Sequence, residues 1–419
     1  MLFILKARLL LWPANLAKQA FWVMLHRMQD RTDTGRINYF FQWHDSIKNI
    51  PREQWDYLAR DLDTPFLHWE WLHLLEKSGS VSPEAGWQPS HLAVYSSDRL
   101  VAAAPLYIKY HSAGEFVFDQ QLAQLASRLN RPYYPKLVGM SPFTPISAYR
   151  FLLARDQDQD HFVRIIQEEI EKFCRTRDLS GYHYHFLESS WTQRLQPQGC
   201  TPWLHPGFVW ENHGFQDFDD FLAGFKSNRR KNIRKERKSL ARQGIRVEAL
   251  RGEQIRREHL LRMYKFYVHT NRRYFPWSCK YLTRDFFLGL TREVKEHVLL
   301  LAAFSQGQAQ PLGMSMLLFK DGRLFGRYWG GTENVPFLHF NLCYYEPVNW
   351  AIQNNIRIFD PGMGGEHKLS RGFKLAPNYS LHKIFDPTLQ HILTTFLQES
   401  NTVLEQNMME MNRENSLHN

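Results

Sequence analysis

Cysteine is scarce in this chain and scattered along it. Four cysteines, Cys174, Cys200, Cys279 and Cys343, occur in 419 residues. None belongs to a C-x-x-C pair, which argues against a zinc knuckle or a dithiol redox motif. No metal site is expected. Widely spaced thiols in a chain of this size read as reduced, which points to a cytoplasmic setting. Long hydrophobic runs are missing too. No stretch reaches the roughly 18–20 apolar residues that a membrane span requires. Leu2 to Leu5, Leu9 to Trp12 and Phe21 to Leu25 are apolar, but Lys6, Arg8 and Pro13 interrupt them. The order of charge, apolar core and small residues typical of a secretory signal is not evident. Residues 1–29 read instead as a basic amphipathic extension. Such a segment packs on the body or makes a peripheral contact with the inner membrane face.

Acid is outnumbered. Lys and Arg total 52 against 42 Asp and Glu, giving a net charge of +10 and a pI near 9.3. A basic surface favours anionic partners such as nucleotides, pyrophosphates, RNA or an acidic membrane face. Hydrophobic residues make up 43% and charged residues 22%, an ordinary globular balance. Aromatic content is high at 15%. Large rings fill cores and also line grooves for ligands. The length suits two domains, because single cores rarely grow past roughly 250 residues.

Periodicity outlines the elements. Glu53 to Leu62, Trp69 to Lys77 and Phe162 to Arg175 predict helices. His91 to Tyr95, Leu100 to Tyr110 and Glu115 to Phe118 predict an antiparallel meander, and Tyr182 to Leu187 a further strand. Val298 to Phe304, Leu312 to Lys320 and Arg323 to Trp329 predict a second meander. A helix at Asn341 to Gln353 and a strand at Ile356 to Phe359 follow it. The meanders open alike, Leu92-Ala93-Val94-Tyr95-Ser96 and Leu301-Ala302-Ala303-Phe304-Ser305. Their shared order of elements predicts an internal duplication. The expected organisation is an extension over 1–35, domains over 36–205 and 206–395 with a boundary near Pro202 to Pro206, and a tail over 396–419. From Ser400 on, the polar, Met- and Asn-rich tail predicts a frayed or disordered end.

The most unusual segment is Lys226 to Arg246, with ten Lys or Arg and one acid, Glu236. Ser227 or Asn228 is expected to cap a helix there, and Gly244 to end it. Ile233 and Leu240 are seven apart, a narrow stripe for contact with the body. The remaining cations repel one another unless they meet an anion. Arg229, Arg230 and Arg234 are therefore candidate anion ligands, for a nucleotide pyrophosphate or a tRNA backbone.

The run Ser227-Asn228-Arg229-Arg230-Lys231-Asn232-Ile233-Arg234-Lys235, ending Gln243-Gly244-Ile245-Arg246-Val247, resembles the basic helix of Fem-type aminoacyl transferases. Tyr328-Trp329-Gly330-Gly331-Thr332, Trp350 to Asn355 and Phe359-Asp360-Pro361-Gly362 resemble that family's strand, helix and following turn. A nearer resemblance is to the bacterial FemAB-like predicted N-acyltransferases. It is carried by Glu76-Lys77-Ser78-Gly79-Ser80, by Tyr133-Tyr134-Pro135-Lys136-Leu137 with Pro142-Phe143-Thr144-Pro145, and by Leu338-His339-Phe340 with Cys343-Tyr344-Tyr345. Gly365-Glu366-His367-Lys368-Leu369 and Arg371-Gly372-Phe373 complete it, so that it covers roughly 36 to 390. Where that pattern has a His before the Trp of Phe208-Val209-Trp210, this chain has Val209, and the position receives no role. The resemblance implies an α/β (α+β) fold of two GNAT-like domains in tandem, with mixed, largely antiparallel sheets flanked by helices. It also implies an N-acyltransferase acting in peptidoglycan biosynthesis.

Acyl transfer needs a proton acceptor, donors for an oxyanion and a cradle for the carrier's phosphates. Arg327-Tyr328-Trp329-Gly330-Gly331-Thr332 nearly fits the pyrophosphate loop that GNAT enzymes use for coenzyme A, but Thr332 stands where Gly or Ala is required. The sequence Gly362-Met363-Gly364-Gly365-Glu366-His367-Lys368, with Arg371 nearby, is the second candidate. Gly364 and Gly365 permit backbone N–H groups to face a ligand. Glu366 or His367 is a candidate base, and Lys368 and Arg371 are candidate anion ligands. His339 and Glu333 flank the same strand and helix, and His339 is a further candidate base. Tyr133, Tyr134 and Lys136 are a candidate acceptor surface.

Three readings stand. One is transfer of an acyl or aminoacyl group, from acyl-CoA or aminoacyl-tRNA, to an amine on a nucleotide- or lipid-linked cell-wall precursor. The second is an acetyl-CoA-dependent acetyltransferase of a small molecule. The third is a non-catalytic binding protein for cell-wall fragments or RNA.

Overall fold

A computed structural model describes residues 26–32, 35–196, 199–273, 280–332 and 335–415. Residues 1–25 of the amphipathic extension, Cys279 and Glu333 lie outside the described residues. No helix among those described is long and apolar enough to cross a membrane.

Sixteen strands form two sheets among the described residues. The first half contributes β1 (His26–Thr32), β2 (Gly35–His44), β3 (Trp87–Pro89), β4 (His91–Ser96), β5 (Arg99–Ala104), β6 (Leu106–Lys109), β7 (Lys136–Gly139), β8 (Leu152–Leu153) and β9 (Gly181–Leu187). The rest are β10 (Thr201–Glu211), β11 (Ile245–Arg251), β12 (Val298–Ser305), β13 (Gly313–Lys320), β14 (Arg323–Gly331), β15 (Ile358–Asp360) and β16 (Lys374–Ile384). The smaller sheet runs β1-β2-β4-β5-β8 and the larger β11-β12-β13-β14-β15-β10-β16-β9-β7-β6-β3. The strand β1, in the expected extension, pairs along its length with β2.

The duplication is visible in topology. In the second half β11, three helices and the antiparallel β12-β13-β14 lead to a helix and then β15, which is parallel to β14. The first half repeats this with β2, two helices, β4 through β7, the helix Gln159–Thr176, and β9 parallel to β7. One difference lies at Pro105. The expected single strand Leu100 to Tyr110 is split there into β5 and β6, which join different sheets. Proline has no N–H to give to a ladder, so the chain changes sheet at that point.

The halves then exchange strands. β10 leaves the first half and pairs with β15, while β16 leaves the second and pairs with β9. The two exchanged strands also pair with each other from Thr201 to Val209. The expected boundary at Pro202 to Pro206 therefore falls inside β10. One hydrophobic core crosses between the halves, with Phe66 edge-on to Phe325 at 5.2 Å and Trp71 edge-on to Phe286 at 5.5 Å.

Two other expectations are corrected. Glu115 to Phe118 is no strand but part of a loop, because Glu115 is drawn inward by buried partners. As far as Asn415 the tail is not a frayed end. Pro387–Glu414 is one helix of 28 residues, with Leu389, Leu393, Leu397 and Met408 buried. Its polar residues hold it down: Asn401 bridges Leu204 and Pro202, and Asn412 bridges both backbone groups of Leu375.

Candidate functional site

The parallel strands β14 and β15 pair over only three positions, Arg323 to Phe325 against Ile358 to Asp360. Beyond them the strands separate. A bulge accompanies the separation: Met316 faces Tyr328 while Leu317 faces Gly326, so Arg327 is the extra residue on β14. Gly326 allows close approach, since a Cβ there would lie 3.1 Å from the Pro361 carbonyl oxygen. The gap opens into a cavity of about 610 Å³ lined from both halves of the chain. That volume suits a small ligand or the reactive end of a larger one.

The floor is a helix with a deliberate irregularity. Leu338–Phe340 continues into a π-turn, Asn341–Tyr345, and then Glu346–Gln353. The wider turn brings His339, Cys343 and Tyr344 to the cavity together. A π-turn leaves a carbonyl without its usual partner, and Ser315 Oγ donates to Leu342 O at 2.6 Å. Asn341 Nδ2 secures the same turn by donating to Phe337 O at 2.9 Å and Glu236 O at 3.1 Å.

The glycine loop forms the opposite wall. Gly364 and Gly365 have φ of 72° and 88°. At Gly365 a Cβ would meet the His367 ring at 2.6 Å, so glycine lets the imidazole turn inward. His367 Nε2 lies 3.0 Å from the Tyr344 hydroxyl. Burial, with Arg371 and Lys368 beside it, lowers the His367 pKa. His339 packs on Trp329, ring centres 4.4 Å apart, and faces His367 at 6.1 Å. Burial, then the neighbouring His367, Lys368 and Arg371, lower its pKa to about 4. Lys368 is buried, and its Nζ donates to Gly362 O at 2.7 Å and Met363 O at 3.2 Å. Burial lowers its pKa to about 8. An ammonium has three protons, so one is left over, and the Nζ also lies 4.9 Å over the Phe208 ring. Arg327 also faces the cavity and reaches across to donate to Phe143 O in the first half. Among the described residues that line the cavity there is no carboxylate.

Several expected site residues sit elsewhere. Glu366 is exposed and outside the lining, because the 3₁₀ turn Glu366–Arg371 sends successive side chains in different directions. Arg371 is buried away from the cavity. It pairs with Glu236, donates to His367 O at 2.9 Å and lies 3.6 Å over the Phe340 ring. Its charge is thus used within the fold. Lys136 is fully buried, donating to Glu115 at 2.8 Å, Asp119 at 2.7 Å and Ser112 at 2.8 Å. Tyr133 donates to Asp119, and Tyr134 pairs with Ser112. Lys136 is thus interior and forms no surface, whereas Tyr133 and Tyr134 also line a second cavity of about 520 Å³ beside Asn130 and Arg131. The N–H of Thr332 is taken by Leu312 O at 2.8 Å, so it does not join a phosphate cradle.

The basic helix spans Ser227–Arg242 and rests on Ile233 and Leu240. Its N-cap is Lys226, without a side-chain cap, and not Ser227 or Asn228. Arg229 reaches Asn415, Arg234 pairs with Asp219 and Arg237 with Glu346. Arg230, Lys231, Lys235, Lys238 and Arg242 form no ion pair among the described residues. Sequence reasoning missed Tyr344 as the partner of His367, and Phe116, Tyr267 and Asn271 as lining. Tyr344 lay within a recognised motif, but only the π-turn shows where it points.

The FemAB-like family, described as peptidoglycan biosynthesis/recognition, matches residues 46–419. No curated protein matches the sequence significantly. Among solved structures, FemX superposes with a TM-score of 0.50 at 10% identity, covering 82% of this chain and 98% of that one. L-PGS from Bacillus licheniformis gives a TM-score of 0.45 at 11% identity, covering 77% and 95%. A tandem GNAT protein from the clavulanic acid biosynthesis pathway gives 0.44 at 10%, covering 83% and 99%. The likeness to FemX shows a shared fold, mixed α/β with sheets flanked by helices, which the internal repeat divides into two units in tandem. With the match running over most of its length, this chain belongs to the FemAB-like family.

Proposed function

We propose that this protein transfers an acyl or aminoacyl group from an activated donor to an amine, on a cell-wall precursor or a similar anionic metabolite. The observation that carries the reading is the gap between β14 and β15, where Arg327, Lys368, His339 and the His367–Tyr344 pair converge, with the buried Asp360, outside the lining, acting on Lys368 and Arg327. The family's description supports the cell-wall context.

In this reading the amine nitrogen attacks the donor's carbonyl carbon, the nitrogen loses a proton, and the carrier leaves with the electron pair of the broken ester or thioester bond. His367 accepts the proton. When its Nε2–H donates to the Tyr344 oxygen, Nδ1 is left as the acceptor, and its lowered pKa keeps it neutral. Arg327 and the third proton of Lys368 stabilise the oxyanion or hold a donor phosphate. The free cations of the basic helix bind the remaining phosphates of donor or acceptor. The engagement of the Thr332 N–H favours a donor other than coenzyme A.

Mass spectrometry of molecules released from the purified protein, followed by transfer assays with the donor so identified, tests this. A new amide bond should form, and His367→Ala should slow it by about 10²–10⁴-fold. Equal rates in the two proteins would overturn the role of His367. Thermal stabilisation by acetyl-CoA would move the donor to coenzyme A. Tight binding without any transfer would favour a recognition protein.

A further inference from the structure

The first half contributes few residues to the cavity, and Phe116 is one of them. Phe116 adopts φ of 57°, a left-handed conformation that costs a bulky residue about 1–3 kcal/mol. Its ring meets Tyr281 edge-on at 6.0 Å. Tyr281 in turn stacks on Phe143, 5.2 Å away and 8° from parallel. Phe143 also has a left-handed backbone, φ 59°, and its carbonyl receives Arg327 of the second half. One aromatic residue with a left-handed backbone thus lines the cavity, and a second, buried behind it, receives the Arg327 that also lines it.

The strain is held by unusual means. Glu115, next to Phe116, is fully buried and accepts from Lys136 at 2.8 Å, with His185 Nε2 at 3.1 Å. Lys109, also buried, donates to Ala113 O at 3.1 Å and lies 3.7 Å over the Trp87 ring. At Gly114 a Cβ would strike the Phe143 ring at 2.8 Å, so the loop must cross there without a side chain. Buried ions and a strained aromatic backbone are both unfavourable by themselves. Their concentration around one ring that faces a ligand cavity indicates that the ring's position matters.

We propose that Phe116 is a specificity-determining residue that sets how long an acyl chain the cavity accepts. The inference rests on the acyl-transfer reading and adds the first half's part in it: an aromatic ring held on the wall of the cavity that the reacting groups share. Aliphatic length is gauged by contact with this ring, while Arg327 and Lys368 hold the polar end. A shorter side chain at 116 lengthens the cavity, and a larger one shortens it.

The test is isothermal titration of the full chain with N-acylglycines from acetyl to myristoyl, whose carboxylate meets the cations and whose chain probes the depth. In the wild type, Kd should tighten about fourfold per methylene that fits and then stop at a fixed length. Phe116→Ala should move that stop to longer chains, and Phe116→Trp to shorter ones. The same length profile in all three proteins overturns the proposal, as does failure of every chain to bind the wild type. Length selection without transfer supports the gauge and removes the transfer reading. Transfer with no length selection does the reverse.

Discussion

Glu236 Oε2 lies 2.9 Å from Arg371 Nη2, joining the one acid of the basic helix to the turn that carries His367. Tyr345 donates its hydroxyl proton to the same carboxylate. The cationic surface and the glycine loop are therefore mechanically coupled. Glu236→Gln leaves the Arg371 charge buried without its counter-ion. The expected loss is about 3 kcal/mol, the low end for breaking a buried pair, measured by urea denaturation. Unchanged stability would show that the pair carries no net energy.

Lys136 should matter more to the fold than to ligand binding. Lys136→Met leaves Glu115 and Asp119 buried without the ammonium between them. The expected destabilisation is about 3–5 kcal/mol. Burial alone would raise the Glu115 pKa, but Lys136, His185 and Lys109 outweigh it and hold the value at about 2. A carboxylate depressed in the folded state adds stability above its unfolded pKa and loses it as pH falls through the folded one. The wild type should therefore lose this contribution from about pH 4.5 down to about 2, and the variant should lack it. Thermal melts across that range compare the two.

Buried histidines predict a separate weakness at mild acidity. Burial lowers His205 to about 3, and His44 and His68 to about 4. The unfolded chain binds these protons from about pH 6.5 downward, and the folded chain resists them. Stability is thus full above pH 6.5 and falls toward pH 4, by about 1.4 kcal/mol per pH unit for each such histidine. Chemical denaturation at pH 7 and pH 5 should show a clear drop. Replacing His205 with Asn should flatten it in part.

Charge reversal on the basic helix should abolish anion binding without unfolding the protein. Arg230, Lys231 and Lys235 make no ion pair among the described residues, unlike Arg229 and Arg234, which have partners. Arg230→Glu with Lys231→Glu and Lys235→Glu should eliminate salt-dependent retention on heparin and on bulk tRNA. Retention equal to wild type would place the anion site elsewhere.

Much of the second half was legible in sequence. The strands from Val298, Leu312 and Arg323, the basic helix and the loop from Gly362 lie where periodicity and glycine placed them. What escaped was long-range. Lys136 looked like a surface cation, and only the fold shows that Glu115 and Asp119 meet it from a loop about twenty residues away in sequence. Glu366 and His367 were equal candidates, and the 3₁₀ turn separates them by direction alone. The tail appeared polar because its asparagines were counted as solvated, whereas they hydrogen-bond to strand backbones. The exchange of β10 and β16 has no local signature at all.

That exchange has a mechanical consequence. Because β10 and β16 are hydrogen-bonded across the middle of one continuous sheet, no free linker exists there about which the halves can swing. Access to the cavity then depends on side chains and loops at its mouth, the loop that carries Phe116 and the turn that carries His367 among them.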